Sequence, residues 1–147
     1  MALNTKRIWI GGLAGGLVWN IWGFLIGYLV IGFDRYAAVQ QQGLFLKTSR
    51  YPAFNVQWMV LMFILGICMA HLYAWSRSTA GPGPGTAVKV GGLVGFVAGF
   101  PLNFAQAAWS PLDRIFPLGW MLEMWIGAIL ATLVAGALYK EPSVVSR

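Results

Sequence analysis

The sequence predicts an all-α integral membrane protein, a four-helix bundle built from two tandem helical hairpins. Three observations predict it. Hydrophobic residues make up 59% of the 147-residue chain and charged residues only 10%, whereas soluble domains carry about a quarter charged residues. Four apolar runs approach the roughly 20 residues that cross a hydrocarbon core of about 30 Å: Ile8 to Phe33, Val56 to Trp75, Val88 to Ala108 and Leu118 to Tyr139. The first and third runs open alike, on IGGLAGG at Ile10 to Gly16 and VGGLVGF at Val90 to Phe96. Barrel strands are shorter alternating segments, so these continuous glycine-rich runs exclude a β-barrel. Residues 1–147 read as a single transmembrane domain.

The first run follows MALNTKR, which has the charge of a signal peptide. The run is long enough to span and lacks a small-residue cleavage site, so a retained helix is expected. At about 100° per residue, Gly12, Gly16, Asn20, Gly23 and Gly27 share one face of it. Small residues at this spacing let helix backbones approach closely, the kind of contact that lipid-embedded helices rely on.

After the first span, Asp34 to Asn55 forms the longest loop, and its Tyr36 to Leu46 segment reads as a short helix lying at the interface. The second span carries Cys68, the single cysteine, which has no internal disulfide partner. His71 lies on the same face. Two potential ligands fall short of a tetrahedral zinc set, and no second axial histidine exists for six-coordinate haem. No metal site is expected; His71 is an interfacial histidine or, alternatively, the ligand of a pigment or five-coordinate haem. The following SRSTAGPGPGTA predicts a non-helical turn from Gly81 to Gly85.

On the third span, Gly92, Gly95, Gly99, Asn103 and Gln106 share a face. Pro101 removes one donor, so the carbonyl of Val97 loses its partner and a kink is expected, with Asn103 or a neighbouring helix available to the nearby backbone. Pro111 and Pro117 punctuate the loop before the fourth span. That span holds Glu123, on a face with Gly119, Gly127 and Ala131, about five residues or 7 Å below the helix end. A charge in hydrocarbon is expensive, so three states are open: protonated, hydrogen-bonded to Asn103 or Gln106, or paired with an arginine of the loops. Asn20, Asn103, Gln106 and Glu123 are the intramembrane polar residues.

Trp9, Trp58, Trp75, Trp109, Trp120, Tyr28, Tyr51, Tyr73 and Tyr139 lie toward span ends, where an aromatic belt is expected at headgroup level. The net charge of +6 would suggest nucleic acid in a soluble protein. Here the cations sit in loops and ends, so the lipid bilayer is the expected partner and nucleic acid is not. Lys6, Arg7, Arg77, Lys89, Lys140 and Arg147 fall on one side, and Arg35, Lys47, Arg50 and Arg114 on the other. The bias puts both termini in the cytoplasm.

Leu72, Tyr73, Ala74, Arg77, Gly81, Pro82, Gly83, Pro84, Thr86 and Ala87 precede a glycine-rich span. This LYA…R…GPGP pattern resembles a group of small four-helix bacterial inner-membrane proteins. The resemblance implies that location and fold, and no activity. No nucleophile triad, paired catalytic carboxylates, P-loop or dinucleotide fingerprint is present, so no enzyme is expected. A structural or accessory subunit, packing through its glycine faces on itself or on a larger membrane complex, is the first functional expectation. The alternative is a small oligomeric transporter or channel using Glu123 and the amides.

Overall fold

The computed structural model describes residues 3–141; Arg147, one of the orienting cations, lies outside them. Five helices form: α1 (Thr5–Leu25), α2 (Phe33–Gln41), α3 (Phe54–Ala80), α4 (Pro84–Trp109) and α5 (Ile115–Leu138), with a π-helical turn, Ile26–Ile31, continuing α1. The fold is an all-α four-helix bundle. Its four long helices, α1 with its π turn and α3 to α5, are 24 to 27 residues long and apolar enough to cross a membrane. This is a multi-pass membrane protein. Only 22% to 33% of each apolar window is buried within the chain, so most of the apolar surface is left for lipid or for neighbours.

Asn4 starts α1: its side chain accepts from Arg7 N at 3.2 Å, satisfying one free donor of the first turn. The π turn ends where Gly32, at φ +82°, donates to Gly27 O. Bonding five residues apart stacks Ile26 and Ile31 on one face, and both pack against the bare Gly119. The short interfacial helix begins at Phe33 and ends at Gln41, earlier at both ends than the segment from Tyr36 to Leu46. Gly32 breaks the chain before it, and Asp34 lies in its first turn, where the helix dipole favours an acid.

Two boundaries move inward on the Gly-Pro turn. Helix α3 runs to Ala80, past Trp75, and α4 starts at Pro84, so Pro84 and Gly85 are helical rather than part of a turn. Proline at the first helical position gives up a donor that would have had no partner. The turn itself narrows to Gly81 and Gly83, at φ +83° and +122°. Thr86 Oγ1 closes it by donating to Gly81 O at 2.8 Å.

Helix α5 touches α1, α3 and α4, whereas α1 and α4 do not touch. The two hairpins, α1 with α3 and α4 with α5, therefore meet mainly through α5, which packs on both α1 and α3, with α3 also touching α4. At the end where α1 begins and α5 ends, Ile8, Tyr73, Ala135 and Tyr139 fill the core. Tyr73 and Tyr139 are buried within the bundle, and each hydroxyl has a partner inside. Gly83 N donates to Tyr73 and Asn4 N to Tyr139. Arg77 lies over the Tyr139 ring at 4.9 Å and pairs with Glu141 at 3.2 Å. Trp19, Met62, Met69, Ala128 and Ala131 fill the middle, and Ile31, Val39 and Phe116 the opposite end.

Candidate functional site

Asn20, Glu123 and the indoles of Trp19, Trp22 and Trp58 gather where α1, α3 and α5 meet, toward the end of the bundle opposite the start of α1. Asn20 of α1 donates through Nδ2 to Gly16 O of its own helix at 2.9 Å and to Met59 O of α3 at 3.2 Å. Trp58 of α3 donates from Nε1 to Glu123 Oε1 of α5 at 3.1 Å. Trp19 and Trp22 of α1 donate to the backbone oxygens of Glu123 and Leu122, each at 3.1 Å. Every pair of these helices is thus joined by a side-chain hydrogen bond. In hydrocarbon no water competes for such donors, so an indole N–H with no partner would be costly.

Glu123 is buried, 8% exposed. Its partner is Trp58, not Asn103, Gln106 or an arginine. Helix α5 starts at Ile115, so the acid lies eight residues in, about 12 Å at 1.5 Å per residue. Gly23 makes room for it: a Cβ there would lie 2.7 Å from Glu123 Oε1. Beyond the span, burial pushes the Tyr36 hydroxyl of α2 above its ordinary value, and the Glu123 carboxylate adds to the rise.

Asn103 and Gln106 do not join this cluster. Asn103 Nδ2 donates at 2.7 Å to Gly99 O of its own helix, and α4 meets α5 through Met121, Met124, Trp125 and Ala128, a different face from the one holding Glu123. Gln106 is half-buried and its side chain has no hydrogen bond among the described residues. Helix α4 continues through Pro101 to Trp109, with the Asn103 amide on the nearby backbone.

The glycine faces divide between neighbours. Gly12 and Gly16 face α3, where an added Cβ would lie 2.5 Å from Ile67 Cα and 2.7 Å from Phe63 Cα. Gly11 and Gly15 face Ala135 and Ala131 of α5. On α4, Gly91, Gly95 and Gly99 face α5. An added Cβ at Gly27 or Gly92 would meet nothing within 4 Å, although the Gly92 carbonyl accepts from Trp125 Nε1 of α5 at 3.1 Å. A helix rotates by about 100° per residue, so the packed face of α4 runs through Gly91, one residue from the expected position.

His71 is half-buried on α3. Its Nδ1 donates to Ile67 O at 3.0 Å, since a carbonyl can only accept, and its Nε2 makes no hydrogen bond among the described residues. Cys68 is exposed, and no group of three His, Cys, Asp or Glu that could hold a metal occurs among the described residues.

Sequence reasoning missed Trp19 and Trp22 and placed Trp58 only in the belt. A signal existed for Trp19: it lies mid-span, far from any headgroup, so its N–H must find a protein acceptor. Gly127 supplies the notch in which the Trp19 indole sits. No family model, no curated protein and no solved structure matches the chain.

Proposed function

We propose that this protein is a structural or accessory subunit of a membrane assembly, packing through the outward faces of its spans on itself or on a larger complex. One observation carries the reading. The Cα of Gly92 has open space where a Cβ would stand, next to the exposed side of α4 that carries Leu93 at 70% and Val97 at 72% exposure. A bare glycine flanked by branched apolar residues is the surface that a second helix packs on closely in lipid. Gly27 is open in the same way on α1.

The transporter reading has less support, because Asn20 and Glu123 lie on one flank of α5 and Asn103 and Gln106 on the other. No catalytic set contributes to the proposal. The cation bias across the loops supports both termini in the cytoplasm, and the Gly-Pro loop pattern supports a bacterial inner membrane.

The test is native mass spectrometry and size analysis of the protein extracted in mild detergent. A species larger than the 16.1 kDa chain, containing copies of it or a stoichiometric partner, is expected, and Gly92→Leu is expected to dissolve it while leaving the helical spectrum unchanged. A monomer at every concentration with no stoichiometric partner sinks the reading.

A further inference from the structure

The Glu123 carboxyl has one oxygen spoken for and one free. Oε1 accepts from Trp58, and Oε2 makes no hydrogen bond among the described residues. Arg77 Nε is the one sealed, unpartnered side-chain polar atom among them, so Glu123 Oε2, without a partner, keeps some accessible surface. The only salt bridge among the described residues is Arg77 with Glu141, at the other end of the bundle. Glu123 therefore has no resident counter-ion.

Exposed aromatic side chains of α3 stand beside the carboxyl. Residues 51–61, including the first two turns of α3, are exposed throughout. The carboxyl lies between α1 and α3, in contact with Gly23 on one side and Trp58 on the other. Phe54 and Trp58, with ring centres 6.0 Å apart, stand on the exposed stretch of α3. One carboxylate beside exposed π faces suits a soft, weakly hydrated cation, which gains from both. It suits a hard metal ion poorly, because such ions demand many oxygen ligands, and both amide contacts of Asn20 are donations to backbone carbonyls.

We propose that Glu123, Trp58 and Phe54 form a binding site for a monovalent organic cation with an apolar body, entered from the hydrocarbon between α1 and the exposed turns of α3. The cationic centre sits at Glu123 Oε2 and the apolar body lies along the rings. Trp58 holds the carboxylate toward the opening. The site is independent of what the outer face of α4 packs against.

Tetraphenylphosphonium is the probe. Equilibrium dialysis of the purified full-length protein in detergent is expected to show saturable binding, weakened at least roughly tenfold in Glu123→Gln and less in Trp58→Phe, which keeps a ring but loses the N–H. A second measurement on the wild-type chain needs no folded variant. Dicyclohexylcarbodiimide takes up a carboxylic acid across one C=N bond, the proton going to nitrogen and the carboxyl oxygen to carbon. The resulting O-acylurea rearranges to a stable N-acylurea. Mass spectrometry of the α5 peptide is expected to find this adduct on Glu123, with saturating tetraphenylphosphonium preventing it. Non-saturable uptake, equal binding by a folded Glu123→Gln variant, or labelling indifferent to the cation overturns the proposal.

Discussion

Trp19 shows how much a single side chain decides inside lipid. Its ring occupies the space that the missing Gly127 side chain leaves, and its N–H reaches Glu123 O. Replacing it with phenylalanine keeps most of the ring and removes the bond, and is expected to cost about 0.5–1.5 kcal/mol. Alanine also leaves a cavity and is expected to cost about 3–5 kcal/mol. Unfolding of the detergent-solubilised protein by denaturant titration checks both. The glycines allow a sharper contrast. Gly12→Leu forces bulk against Ile67 Cα and is expected to destabilise by about 1–3 kcal/mol or more, while Gly92→Ala meets open space and is expected to leave the same transition unmoved.

At the scale of one helix, α4 tolerates a proline for a reason that can be tested. Pro101 denies Val97 O its helical donor, yet the ring is exposed and the helix continues on both sides. Asn103 strengthens the next turn by donating to Gly99 O. Pro101→Ala restores the missing bond without touching a packed face, so thermal unfolding in detergent is expected to show equal or higher stability. The helix ends at the other face depend on hydrogen bonds more than on charge. Glu141 is 56% exposed in its pair with Arg77, and an exposed pair contributes little. Glu141→Ala is therefore expected to shift stability by less than about 1 kcal/mol. Asn4→Ala removes the cap of α1 together with the Nδ2 bond to Lys140 O, and is expected to cost about 1 kcal/mol or more by the same measurement.

Across the whole molecule, the duplicated glycine motif does not produce duplicated packing. Overlaying the two motifs sets Gly12 on Gly92 and Gly11 on Gly91, yet Gly12 packs on its own return helix while Gly92 is open, and Gly91 packs on its own return helix while Gly11 faces the other hairpin. The result is a central α5 with α4 held on one flank. Embedding in lipid has its own test. Cys68 is exposed in the middle of α3, where a charged thiol reagent does not partition. In intact membranes it is expected to resist a sulfonated maleimide and to react after solubilisation in dodecyl sulfate, as read by mass shift.

The sequence by itself determined the solvent, the number of crossings and the residue types that meet, because these follow from composition, run length and the cost of burying polar groups. It placed Glu123 with Gly127 and Ala131 on a buried face, and it left Asn103 open between the backbone near Pro101 and Glu123. It could not say which helix each face would meet. A face is a property of one helix, whereas a contact depends on the rotation and order of two. Glu123 thus found Trp58 rather than Asn103, and Gly92 was left facing outward, because only the packing of α1, α3 and α4 around α5 decides which donor stands opposite which acceptor.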